Sequence, residues 1–250
     1  MVTPERWKRA QQYETGYWDR PEKAEEIANQ APAWYGWRAG RLVEELDATG
    51  LKSLSDGSAR VVEVGSGPVG VAKYFPARQR VAVDPLDKVY ASNPGLASHR
   101  NGDVDYREGR GEALPVDTRA FDLAIIENCI DHVQDMDAVM RELKRVLAPG
   151  GVLYLTVNCR SPGGYWMHRL LSRLRIDAGH PHTFTPERAE ALMRKHGFTV
   201  RRTWAMQELE AARRADLASP VRKDRLKARL GVSEFAVALI CTTDAGEMNA

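Results

Sequence analysis

The segment Val61–Gly70, VVEVGSGPVG, restricts the folds open to this chain more than any other stretch. An apolar run ending in glycines at 65, 67 and 70 reads as a buried strand entering a tight turn and then a helix. Glycine has no Cβ, so the backbone there reaches left-handed conformations and a ligand can approach its N–H groups. Two patterns overlap on these residues. From Gly65 the spacing is G-x-G-x-x-G, a fingerprint of dinucleotide binding; from Glu63 it is E-x-G-x-G, which suits a different nucleotide-like cofactor.

The remainder of the chain alternates strand-like and helix-like segments. Strands are expected at 60–64, 80–84, 104–107, 121–127, 152–157, 198–206 and 234–242, several of them almost wholly apolar, as in a parallel sheet covered on both faces. Residues 22–50 read as helical, with Pro32 dividing them into two helices. Over 135–147, Met136, Val139, Met140, Leu143, Val146 and Leu147 form one apolar stripe that APGG (148–151) ends. A further helix begins at TPERAEALMRKHG, with Thr185 as cap, Pro186 in its first turn and Gly197 at its exit. The expected fold is therefore α/β: a doubly wound, Rossmann-like, mostly parallel seven-stranded sheet with helices on both faces and an N-terminal helical cap. Its ligand site belongs at the carboxyl ends of the strands.

Composition narrows the function classes. A formal charge of +2 on 250 residues gives no chain-wide electrostatic case for nucleic acid. MVTPERWKRAQQYE has no apolar core of a secretory signal, and the most apolar short run, FAVALIC (235–241), is too short to span a bilayer. Cys129, Cys159 and Cys241 are scattered, which fits a reducing cytoplasm and argues against a disulfide framework or a metal site.

A second strand, RVAVDPL, ends in Asp84, whose carboxylate can accept hydrogen bonds from both hydroxyls of a ribose, with Pro85 following. That defines an adenosine-containing cofactor without choosing between NAD and S-adenosylmethionine. Glu63 would repel a pyrophosphate but not an ammonium group, and Pro76 closes the segment after the turn early. Both features favour S-adenosylmethionine.

With these residues in view, the chain resembles a class I S-adenosylmethionine-dependent methyltransferase of the small-molecule type. VVEVGSGPVG is similar to that family's first motif and VAVDPL to its ribose-binding strand end. GRGEALPVDTRAFDLAIIENCIDHVQD resembles the adenine loop and fourth strand, and ELKRVLAPGGVLYLTV the next helix and fifth strand. The likeness covers roughly residues 58–200. It departs from the family where Val69 stands at the usual third glycine and Arg110 at a position commonly acidic. The resemblance implies cofactor contacts from Glu63, Gly65, Ser66, Gly67, Asp84, Pro85, Gly111, Glu112, Glu127 and Asn128.

The implied activity is methyl transfer to a small molecule by in-line displacement, with oxygen slightly favoured as acceptor. The alternatives are an NAD-linked oxidoreductase and a non-catalytic S-adenosylmethionine-binding protein. ENCI (127–130) is not the N-P-P-Y signature of base N-methylators, which counts against a nucleic-acid substrate. His132 and His182 are the candidate bases, because imidazole titrates near neutrality. His132 is otherwise a packing residue next to Asp131 as a helix cap, and the His180/His182 pair otherwise orders a loop. Tyr17, Trp18, His180 and His182 are candidate substrate contacts, and the aromatics of 13–37 form either a lid or an anchor.

The domain division expected is a helical arm at 1–57, the methyltransferase domain at 58–245 and a tail at 246–250. A basic helical insert at about 207–232 reads as a solvated face or as a docking element for an anionic substrate or partner.

Overall fold

A computed structural model describes residues 2–173, 181–205 and 209–243. Seven strands form one sheet: β1 (Arg60–Val64), β2 (Gln79–Asp84), β3 (Asp105–Glu108), β4 (Phe121–Glu127), β5 (Leu147–Arg160), β6 (Phe198–Ala205) and β7 (Glu234–Thr243). Their order is β3-β2-β1-β4-β5-β7-β6, with β7 antiparallel to both its neighbours and the other pairings parallel. The chain order reverses between β1 and β4, which creates a crevice at their carboxyl ends.

Alternation along the strands divides the core between two layers. Val62, Val64, Ala124, Ile126, Leu153 and Leu155 face one way, against Val139, Met140, Leu143 and Val146 of α4 (Met136–Val146) and Ala189 and Met193 of α6 (Pro186–Lys195). Val61, Leu123, Ile125, Val152 and Tyr154 face the other way, against Ile27, Ala31, Tyr35, Leu42 and Leu46 of α2 (Pro21–Ala48). The second N-terminal helix thus forms one layer of the core against the sheet. Helices α1 (Pro4–Trp18), α3 (Asp87–Ser92) and α5 (Pro162–Arg173), and the pair α7 (Leu209–Ala218) and α8 (Arg222–Arg229), complete the fold.

Local sequence rules fail at four points, each with a physical reason. Pro32 does not divide the helix: α2 runs unbroken through it. A proline inside a helix deprives the carbonyl four residues earlier of its donor, and the ring Nε2 of His99 lies 3.0 Å from that very oxygen, on Ala28. Thr185 stands at the N-cap of α6, yet its hydroxyl donates to Glu187 Oε2 (2.7 Å) instead of accepting from the helix. Asp131 is no cap either. The capping carboxylate of α4 is Asp135, whose Oδ1 accepts from the N–H groups of Asp137 and Ala138. Finally, Leu147 belongs to β5, not to the helix: the chain leaves α4 directly into an extended strand, with Gly150 at φ +74°.

Candidate functional site

The glycine turn after β1 is left-handed at Gly65 (φ +73°) and Gly67 (φ +62°). A Cβ at Gly65 would collide with Cys129, so β4's exit packs directly on the turn. Glu63 lies beneath it, buried. Its carboxylate accepts the N–H groups of Val71 (3.0 Å) and Ala72 (2.7 Å), and a Cβ on Gly70 would come within 2.6 Å of Glu63 Oε2. The donors that a pyrophosphate would need are thereby taken by the protein's own carboxylate. Burial raises the pKa of Glu63 to about 7 despite those two bonds.

Asp84 closes the other side of the turn. Its Oδ2 accepts from Gly67 N–H (2.9 Å) and its Oδ1 from Leu86 N–H (2.8 Å), which ties the turn to the end of β2. Each oxygen retains a lone pair for a ligand hydroxyl. Burial raises this carboxyl to about 6, against the two backbone bonds that lower it. Asn128, just past β4, sits at φ +47°, a left-handed position that asparagine tolerates. Its N–H donates to Thr156 O of β5 (2.9 Å), fixing the bend that turns the chain into the crevice.

These pieces surround a cavity of about 210 Å³ at the β1/β4 switch point. Glu63, Gly65, Ser66, Gly67, Asp84, Pro85, Glu127, Asn128 and His132 line it, together with Trp18. A smaller recess of about 40 Å³ adjoins it through Gly65, Pro85, Cys129 and His132, and contains Gly111 and Glu112. The side chain of Glu112 is committed to the loop before α4, accepting from Gln134 N–H (2.8 Å) and Asp135 N–H (3.1 Å). Its backbone and Gly111 therefore form the wall. Arg110, in place of the acidic residue common in the family, stacks its guanidinium 3.9 Å from the Trp7 ring centroid and donates to Gln134 Oε1 (2.9 Å).

Apart from Trp18, the roof comes from residues absent from the sequence-based assignment. Trp7, Gln11, Glu14 and Trp18 occupy one face of α1, at spacings of 4, 3 and 4, and line the cavity or its recess. Tyr35 and Arg38 of α2 join them. That helical spacing was readable in the sequence, but which helix face meets the crevice depends on how α1 docks. Val2 N–H donates to Gln134 O (2.9 Å), anchoring the start of α1 there. Arg38 forms an ion pair with buried Glu127, whose pKa burial raises and Arg38 lowers.

Among the expected catalytic and substrate residues, His132 faces the cavity, with Nδ1 3.5 Å from Glu14 Oε1 and Nε2 3.8 Å from Asp131 Oδ1. His182 does not line it. Its N–H donates to Asp131 O (3.2 Å) and its Nε2 lies 2.9 Å from Val133 O, so it braces the loop that carries His132. Burial lowers the His182 pKa, so the neutral ring is the donor in that bond. The cavity that His182 does line is larger, about 740 Å³, between α5 and α6, and contains neither the glycine turn nor Asp84. Tyr17 lies outside the main cavity and is covered by Arg20 and Lys23, 4.7 and 4.8 Å from its ring centroid. Trp34 and Trp37 are exposed on the outer side of α2, so they are no part of a lid. His180 lies outside the described residues.

Comparison with known proteins decides between the two readings of the turn. The family described as "Methyltransferase domain" matches residues 34–203. The chain belongs to that family. The chain is 33% identical over 103 residues to an uncharacterized methyltransferase of Schizosaccharomyces pombe, a match covering 37% of each chain. It is 29% identical over 121 residues to a ubiquinone biosynthesis O-methyltransferase of Cereibacter sphaeroides, covering 45% of this chain and 46% of the relative. The chain spans about half, or less, of the length of the curated relatives it matches.

Two solved structures show the same fold. A Haemonchus contortus phosphoethanolamine N-methyltransferase 2, in complex with phosphomonomethylethanolamine and S-adenosylhomocysteine, gives a TM-score of 0.55 at 16% identity, covering 79% of this chain and 52% of that one. The [4+2]-cyclase SpnF gives 0.58 at 19% identity, covering 81% and 82%. The resemblance to class I S-adenosylmethionine-dependent methyltransferases holds, and the NAD reading of the glycine turn gives way. The cavity fits the sulfonium cofactor chemically. Glu14, Glu63, Asp84 and Glu127 line it against one arginine, Arg38. A cation is stabilised among such carboxylates, and a dinucleotide's pyrophosphate is repelled.

Proposed function

We propose that this methyltransferase transfers a methyl group from S-adenosylmethionine to a small-molecule acceptor, with oxygen the favoured atom. The observation that carries this reading is the carboxylate-lined crevice, in which the Asp84-anchored glycine turn and the His132–Glu14 pair meet. When bound, S-adenosylmethionine supplies an electrophilic methyl group and a neutral thioether as leaving group.

The residues of the chain bind, orient and remove a proton. Asp84 accepts the ribose hydroxyls through the lone pairs left by Gly67 and Leu86. The backbone of Gly111 and Glu112 lines the base, with Trp7 in the same recess. Gln11, Glu14 and Trp18 of α1 cover the crevice and keep water out. Glu14 Oε1 lies 3.5 Å from His132 Nδ1 and Asp131 Oδ1 3.8 Å from Nε2, so carboxylates flank the imidazole that takes the proton of an acceptor hydroxyl. Holding acceptor and methyl in line supplies the remaining rate enhancement. His182 acts as a positioning residue through its two contacts with the 131–133 loop. Cys129, Cys159 and Cys241 are free thiols, which supports a reducing, cytoplasmic setting.

An oxygen acceptor is favoured because a hydroxyl requires a base and because of the relative named as an O-methyltransferase. The test is release of S-adenosylhomocysteine over a panel of hydroxylated, amine and thiol acceptors, repeated with His132→Gln. Turnover of hydroxyl acceptors that falls on the order of 100-fold in the variant, with cofactor affinity unchanged, is the expected result. Cofactor binding without turnover on any acceptor would favour the non-catalytic reading instead.

A further inference from the structure

The hairpin of α7 and α8 has no part in the site described above, yet its surface is unusual. Residues 209–231 contain seven basic and three acidic side chains, on a chain whose net charge is only +2. Of nine exposed large apolar side chains among the described residues, four lie here: Leu217, Val221, Leu226 and Leu230. Two more, Trp166 and Leu170, are on α5. The start of α5 adjoins the end of α8, where Ser161 Oγ donates to Gly231 O (3.0 Å).

On α8 the two kinds of side chain share one face. At 100° per residue, Arg222, Leu226, Arg229 and Leu230 fall within a quarter turn or so, with Lys223 at its edge. The buried residue of that helix, Ala228, points the opposite way. Other cations of the insert are engaged within it: Arg213 donates to Ala228 O, Arg225 to Ser219 O, and Lys227 lies 4.0 Å from Asp224. Among the described residues, Arg222, Lys223 and Arg229 have no acidic partner. A merely solvated helix face needs no leucines between its cations.

Topology places this face next to the crevice. Glu234, the first residue of β7, pairs with Arg160 at the carboxyl end of β5, and β6 ends on the same side. The hairpin that joins β6 to β7 therefore stands on the edge of the sheet that carries the ligand site.

We propose that the outer face of α8 docks this protein on an anionic lipid surface, with the cations at the headgroups and Leu226 and Leu230 inserted between them. Unpaired positive charge complements such a surface, and interleaved leucines suit the interfacial boundary where an amphipathic helix lies. No helix among the described residues is long and apolar enough to cross a membrane, so the attachment is peripheral. Docking on this edge turns the crevice toward the bilayer, where an apolar acceptor would be held. The inference does not depend on methyl transfer, since binding is read directly.

The experiment is co-sedimentation of the full chain with vesicles of phosphatidylcholine alone and of phosphatidylcholine with phosphatidylglycerol. The expected result is partition to the anionic vesicles only, weakened by salt. Charge reversal at Arg222, Lys223 and Arg229 should lower it by more than about 100-fold, since loss of each basic residue alone contributes a roughly five-fold factor. Leu226→Ser with Leu230→Ser should lower it about tenfold or more. Both variants alter exposed side chains, and an unchanged melting temperature and S-adenosylhomocysteine affinity confirm that they fold. Equal partition to neutral vesicles overturns the proposal, as does indifference to charge reversal. Loss of binding on charge reversal but not on leucine replacement reduces the face to non-specific adsorption and also overturns it. A concentration-dependent dimer that the same variants dissolve, without vesicle binding, assigns the face to a second copy of the chain instead.

Discussion

The protonation of Asp84 should set the pH dependence of cofactor affinity. In the ligand-free fold its carboxyl is raised from 3.8 to about 6, because burial outweighs the bonds from Leu86 and Gly67. Ribose hydroxyls donate to the ionised form, so binding requires deprotonation. Apparent affinity for S-adenosylhomocysteine should be nearly constant above pH 7 and about tenfold weaker at pH 5, the slope that a single titrating group produces. The same shift has a consequence for stability, and its sign is fixed. The folded protein holds this proton more tightly than the unfolded chain, so stability falls by about 3 kcal/mol in all as pH rises from below 4 to about 7, and is constant above.

Asp84→Asn should remove the pH slope of affinity attributable to this residue. It should also weaken binding on the order of 100-fold, because the charge-assisted bonds to ribose are lost and the amide nitrogen faces Gly67 N–H. Titration calorimetry of both proteins between pH 5 and 8 measures all of this. Glu63 titrates in the same range, at about 7, but its carboxylate is engaged by Val71 and Ala72 beneath the turn. The asparagine variant separates the two. A flat profile in the wild type, or an undiminished slope in Asp84→Asn, would refute the assignment of ribose binding to an ionised Asp84.

Three further perturbations follow from the geometry. Gly65→Ala combines a left-handed backbone with a clash against Cys129, and thermal or denaturant unfolding should show a loss of about 2 kcal/mol or more together with lost cofactor binding. Arg38→Met leaves Glu127 buried without its cation, so destabilisation of about 3 kcal/mol is expected at pH 8 and less as pH falls, because burial raises the Glu127 pKa, and Glu127→Leu in the same chain should restore much of it. His99→Ala should destabilise by about 1 kcal/mol by taking the partner from Ala28 O, and by less in a Pro32→Ala background, where residue 32 supplies the helical N–H itself. Denaturant titrations of the four proteins in that last cycle give the coupling directly.

Much of the architecture was legible without coordinates because it rests on local rules. Most of the strands were readable from apolar runs, the polar β3 excepted, and the glycine turn with Asp84 19 positions after Gly65 pointed to the ends of β1 and β2. Such features depend on backbone freedom, strand periodicity and short spacing, all of which a sequence displays. Pro32 was misread because its compensating partner is distant in the chain, and Asp131 because a nearby aspartate takes the cap. The donor that makes a mid-helix proline tolerable is 71 positions from Ala28, and the cap expected of Asp131 is supplied by Asp135.

The sequence by itself determined a doubly wound methyltransferase fold and the glycine turn at the end of β1. Tertiary structure decided what each charged group does there. Glu63 holds the turn's own N–H groups, Arg38 balances Glu127, and His132 rather than His182 faces the crevice. These outcomes depend on which faces of α1 and α2 cover the strand ends. Helix docking is a long-range packing choice, driven by burial of the Ile27–Leu46 stripe against the sheet, and no short stretch of sequence encodes it.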